Sequence, residues 1–132
     1  MPIPESLTAS EIVINALLQA PAIVRLVGDR VTSAPLPPEY ARPAIMVVHV
    51  GESEGYTLAG ADGYPLSQIQ TEIISSNSAS EAERIGKAVV AALKDYRKGT
   101  IKVMKGNGDL SEYDREEALF RRIIDWMVRW NN

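Results

Sequence analysis

Residues 67–99, SQIQTEIISSNSASEAERIGKAVVAALKDYRKG, change their periodicity part-way, and that change decides the fold class. In the first nine positions Ile69, Thr71 and Ile73 alternate with Gln68, Gln70 and Glu72, which predicts a β-strand with one wet face. Beyond Ser78 the apolar residues Ala82, Ile85, Val89, Ala92, Leu93 and Tyr96 recur at the spacing of an amphipathic helix. Overlapping capping boxes, Ser78 to Glu81 and Ser80 to Glu83, mark its start. Gly99 is its expected stop, because glycine accepts the left-handed conformation that closes many helices.

Toward the N-terminus, this strand is joined by GESEGYTLAGADG (51–63) to a second β-branched run, AIMVVHV (44–50). SAPLPPEYARP (33–43) precedes it; its four prolines each remove a backbone donor, so it reads as a stiff connector. Between Leu7 and Ala20, Val13, Ala16, Leu17 and Ala20 recur at helical spacing, with Thr8 or Ser10 as N-cap and Glu11 completing a box from Thr8. Pro21 opens a short second helix, PAIVRLV, and Gly28 ends it before Asp29, Arg30 and Val31 turn extended.

Toward the C-terminus, TIKVMKG (100–106) predicts a short strand and NGDLSEYDREEA (107–118) a polar loop. LFRRIIDWMVRW (119–130) closes the pattern as a strand. Its even positions Phe120, Ile124, Trp126, Val128 and Trp130 form an apolar face broken only by Arg122, while Arg121, Asp125 and Arg129 occupy the other face. The predicted order is helix, short helix, three strands, helix, two strands. Hairpin-length links and alternating patterns predict a single α+β domain over residues 1–132, with a mostly antiparallel sheet, two main helices on one face and a long arm between strands.

The 132 residues suffice for a core without disulfide or metal staples. The absence of cysteine excludes thiolate catalysis, cysteine metal sites and a disulfide framework. The net charge of -3 gives no general attraction to nucleic acid or anionic lipid, although a moderately basic run extends from Arg84 to Lys105. No apolar run approaches the roughly 18 to 20 residues that a bilayer requires, and MPIPESLTASE has neither a basic start nor an apolar core of a leader; the expectation is a cytosolic product without membrane contact.

Chemistry-bearing patterns fail on spacing. His49 is the single histidine, so a multi-histidine metal site cannot form, and its place in a strand predicts a sheet-face role. Gly86 and Lys87 resemble part of a phosphate loop, but no glycine lies five residues earlier, Ala88 stands where Ser or Thr is needed, and the pair falls inside a helix. Gly55, Gly60 and Gly63 lack dinucleotide-binding spacing, and Glu52, Glu54 and Asp62 beside them would repel a phosphate. The acids Asp109, Glu112, Asp114, Glu116 and Glu117 read as a solvated loop, and Trp126 with Trp130 as buried aromatics rather than a base-stacking platform. No catalytic residue, cofactor or metal is expected.

The whole pattern resembles the tail-completion family of long-tailed bacteriophages, whose members include tail terminators and tail-to-head joining proteins. IVINALLQAPAIVRLVGDRV, PAIMVVHV, GYTLAG, IQTEIISSNSASEAERIGKAVVAAL and DLSEYDREEALFRRIIDWMVRW carry the likeness, above all LVGDRV and YTLAG. The late loop departs from it in being short and very acidic. The resemblance implies a structural protein of the virion tail, assembled in the host cytoplasm. It would form a homo-hexameric ring on the head-proximal end of the tail tube, stop tube growth and offer a docking surface to a head-side neck connector, with DNA passing through the channel. The neighbouring alternative is the neck connector itself, a stopper or adaptor. On this reading Tyr56 and Leu58 would anchor the arm against a ring or tail-tube surface. Arg121, Asp125 and Arg129 would make ring contacts, and Glu52, Glu54 and Asp62 would line the channel.

Overall fold

The computed structural model describes residues 7–37, 39–53, 56–57, 60–61 and 66–130. Helix α1 (Ala9–Leu18) begins where Thr8, in extended conformation, accepts the Glu11 amide on its hydroxyl; the same hydroxyl donates to the Glu11 carboxylate at 3.0 Å. Helix α2 (Pro21–Val27) starts on proline, whose missing N–H costs nothing in the first turn. It ends at Gly28 (φ 62°), whose amide donates to the Val24 carbonyl at 2.8 Å. The two helices bend by 88° at their junction, and both bury apolar faces: Val13 and Leu17 from α1, Ile23 and Val27 from α2. Among the described residues no single helix is long and apolar enough to cross a membrane.

Strand β1 (Val31–Ser33) lies parallel to β2 (Ala44–Ser53), and the proline connector turns the chain back between them. Arg30 closes this return by donating from Nε to the Pro43 carbonyl at 2.9 Å. Strand β5 (Leu66–Ser75) runs antiparallel to β2, and between the two the arm forms a separate two-stranded piece, β3 (Tyr56–Thr57) with β4 (Gly60–Ala61). Helix α3 (Ala79–Leu93) is capped by Ser78, whose hydroxyl accepts the Glu81 amide; Ser80 lies inside the helix. Glu81 in turn accepts from Ser75 Oγ at 2.7 Å and from Asn77 Nδ2, which fastens the helix to the end of β5.

Two expectations are corrected beyond α3. The helix stops at Leu93, where Lys94 turns extended and Asp95 takes φ 60°. Gly99 (φ 60°) instead makes the turn between β6 (Arg97–Lys98) and β7, pairing Lys98 with Ile101. The supposed polar loop 107–118 is mostly strand: β7 runs from Ile101 to Asp114 and pairs along nearly its whole length with β8 (Leu119–Arg129). A bulge at Gly106, Asn107 and Gly108, three residues against Asp125 alone, allows this. A Cβ at Gly106 would meet Asp125 Cβ at 3.0 Å, and one at Gly108 would run into the Asp125 carboxylate. The glycines that suggested a loop are what let β7 approach β8 so closely.

The six strands form one curled sheet in the order β1-β2-β5-β8-β7-β6, antiparallel except at β1-β2. Helix α1 packs on β1, β2 and β5, and α3 on β5, β8 and β7, so α1 and α3 lie on the same side of the sheet. The register places Ile45 and Val47, Ile69 and Ile73, Ile124 and Trp126, and Val103 on that side, all fully or almost fully buried. Each such side chain contributes roughly 1.5–3 kcal/mol of burial. Thr71 is buried among them, and its hydroxyl accepts from Trp126 Nε1 at 2.9 Å, so neither polar atom is stranded.

Candidate functional site

No group of three or more His, Asp and Glu among the described residues could hold a metal ion. Among the described residues, two open grooves stand out on the surface. One of about 550 Å³ lies between the start of α1, His49 and Glu52 of β2, and Trp130. The other, of about 240 Å³, lies between the start of α3 and the end of the β7–β8 hairpin, beside Tyr113 and Phe120. Neither gathers the enclosed, convergent polar groups that catalysis requires. The features that remain are the helix-free face of the sheet and the hairpin at its end.

That face is built by the strict alternation of β2, β5 and β8. Residues Met46, Val48, Ile123 and Met127 stand on it half-buried, interspersed with Gln68, Gln70, Glu72 and the residues Arg121, Asp125 and Arg129. The last three therefore share one face, as their spacing predicts. Arg121 is the hub of an ion cluster: its guanidinium lies 3.0 Å from Glu72, 3.4 Å from Glu117 and 3.7 Å from Asp114. Asp125 sits under the glycine bulge of β7, and Arg129 stands opposite Lys102.

Of the residues expected to face a channel, Glu52 alone is among the described residues with its side chain. A register shift between His49 and Gly51 brings Glu52 opposite Ser67, whose hydroxyl donates to it at 3.2 Å, and its carboxylate is 3.8 Å from His49 Nε2. Glu52 is thus on the helix side of the sheet, away from Arg121, Asp125 and Arg129. Glu54, Leu58 and Asp62 lie outside the described residues. The backbone of Tyr56 belongs to β3, and its side chain is likewise outside them.

One constellation escapes the sequence reading. Arg122, the single break in the apolar face of β8, binds Asp109 with both prongs, Nε to Oδ1 at 3.1 Å and Nη2 to Oδ2 at 3.0 Å, and donates to the Glu83 carbonyl of α3 at 3.4 Å. The hydrogen bonds from Arg122 hold the Asp109 carboxyl below its ordinary range, against the opposing pull of burial; the same contact raises the Arg122 guanidinium. Arg122 can cross α3 because Gly86 has no side chain, since a Cβ there would lie 2.6 Å from Arg122 Cδ. The signal was present as a glycine inside a helix and a cation inside an apolar stripe, but nothing local connects them. Together the Arg121 and Arg122 clusters stiffen the β7–β8 hairpin, on which Leu110 and Tyr113 remain 55% and 50% exposed.

One family model, Tail completion protein gp17, matches residues 11–130. The chain belongs to that family. The tail completion proteins are structural components of phage-like virions rather than enzymes. Among solved structures, a chain of the "virion of native gene transfer agent (GTA) particle" superposes with a TM-score of 0.69 at 17% sequence identity, covering 90% of this chain and 92% of that one. At that identity the likeness is one of fold. A search of curated protein sequences gives no significant match.

Proposed function

We propose that this tail completion protein is a tail terminator, forming a homo-hexameric ring on the head-proximal end of the tail tube. The ring stops tube polymerisation, offers a docking surface to the head-side neck connector and leaves a channel for DNA. The observation that carries this reading is the family match over residues 11–130, nearly the whole chain. Two physical features support it. Half-buried apolar residues on the helix-free face are suited to subunit contact, where burial of Met46, Val48 and Met127 would be completed. The acidic balance of the first half, three basic against seven acidic residues through Leu66, suits a channel wall, because phosphate contacts dominate DNA affinity and would retain the passing duplex.

Within this reading Tyr56 and Leu58 anchor the arm on a neighbouring ring or tube surface, Glu52, Glu54 and Asp62 face the channel, and Arg121, Asp125 and Arg129 border the contact face. The experiment is electron microscopy of tails assembled without this protein, with purified protein then added. Overlong, headless tails that acquire a terminal ring and join filled heads are expected. Protein that binds filled heads and leaves bare tails unchanged would overturn the terminator role in favour of a neck connector.

A further inference from the structure

Across β6, β7 and β8 the register sets Arg97 directly opposite Lys102, and Lys102 directly opposite Arg129. Three cations thus stand in one row on the helix-free face. Like charges paired across strands destabilise a sheet, so the Arg97–Lys102 pair carries an electrostatic cost that an incoming anion would relieve. Exposed Lys94 and Lys98 extend the basic corner, and neither Lys94, Arg97, Lys98 nor Lys102 forms an ion pair among the described residues.

The complementary surface lies on the same chain. At the far end of β7 and through its turn, Glu112, Asp114, Glu116 and Glu117 outnumber Arg115 and Arg121. Glu112 stands opposite Arg121, which puts it on the same helix-free face as the cation row. Glu112 and Glu116 have no ion-pair partner among the described residues, and Leu110, opposite Ile123, adds exposed apolar area on the same face. The turn is already rigid: Asp114 Oδ1 accepts the amides of Glu116 and Glu117, and the Arg121 and Arg122 clusters fix the strands below. A preformed surface loses little freedom on docking. From Arg121 to Arg129, eight residues along β8, the two patches are about 27 Å apart. They cannot meet within one molecule.

We infer that the acidic β7–β8 turn of one subunit docks on the Arg97–Lys102 pair of the next. Two different patches at opposite ends of one element make a head-to-tail contact, and repeated head-to-tail contacts close into rings. The inference rests on the ring reading above and names the contact that builds it.

The test uses full-length chains and counts capped tail ends by electron microscopy as protein concentration rises. Reversing the turn (Glu112→Lys with Glu116→Lys) or the row (Arg97→Glu with Lys102→Glu) should each raise the concentration that caps half the tails by about tenfold or more. An equimolar mixture of the two variants should restore capping to within roughly threefold of wild type, because unlike neighbours again attract and an alternating ring closes with six members. Circular dichroism melts matching wild type identify the loss as one of contact. Undiminished capping by both single-end variants would overturn the contact while leaving the ring intact, as would loss that the mixture fails to restore. Wild-type protein that forms no ring on tails would overturn the ring reading itself, and the contact with it. A stable wild-type particle of two chains would also count against it, since antiparallel pairing of two β7 strands would satisfy the same charges.

Discussion

The two faces of one sheet are made by the same strands and have opposite characters. Toward the helices, Ile45, Val47, Ile69, Ile73, Ile124 and Trp126 are sealed, and the buried hydroxyls of Ser67, Thr71 and Ser75 are each hydrogen-bonded, that of Thr71 to an indole N–H. On the other side Met46, Val48, Ile123 and Met127 are only half covered and alternate with charged and amide side chains. A face that must specify a fold tolerates no unmatched polar atom. Half-covered apolar area with interspersed charge is the make-up that protein contacts use, and on the proposed ring reading this face would supply one.

The contrast is broken most forcefully at Trp126. Trp126→Ala should lower unfolding free energy by about 3–5 kcal/mol, through a cavity under α3 and the stranded Thr71 hydroxyl. Urea denaturation measures this, and a loss within about 1 kcal/mol would mean that the helix-covered face is not the folding core.

A smaller effect belongs to the seam between sheet and helix. Asp109→Asn should cost about 1 kcal/mol at neutral pH, because the bidentate bond to Arg122 is charge-assisted but partly open to solvent. The Asp109 carboxyl is held below its ordinary value of 3.8, so the folded state prefers it ionised. Its contribution is therefore present above that value and fades as pH falls through the depressed one. The difference in stability between wild type and variant, followed by denaturation from about pH 7 to about pH 3, should shrink with acid. A constant gap would remove Arg122 as its cause.

The smallest change in stability is expected on the open face. Met127→Gln should alter unfolding by less than about 1 kcal/mol. Its effect should appear instead in ring formation on tails. A large loss of stability with unchanged assembly would erase the distinction between the faces.

How much of this was legible in the chain depends on how local each signal is. The strand and helix of 67–93 announce themselves by period, and Ser78 by its distance from Glu81, because each involves neighbours a few residues apart. Strand β7 was hidden because Gly106, Asn107 and Gly108 look like a turn; only the presence of Asp125 beneath them makes them a bulge. The same holds for the candidate surfaces. Arg121, Asp125 and Arg129 could be placed on one face from alternation alone. That Arg121 is held by Glu72, 49 residues away, could not be, and Glu52 changes sides through a shift of register that no composition reveals. The strand character of the acidic stretch 109–117 is hidden because its pairing is non-local, while its charge is in plain view.

The crossing of Arg122 over Gly86 ties two positions 36 apart in the chain into one packing unit. A relative that places even a methyl group at the helix position should carry something shorter than arginine on the strand, and should have lost the acid that arginine now clasps. The three positions should change together or not at all.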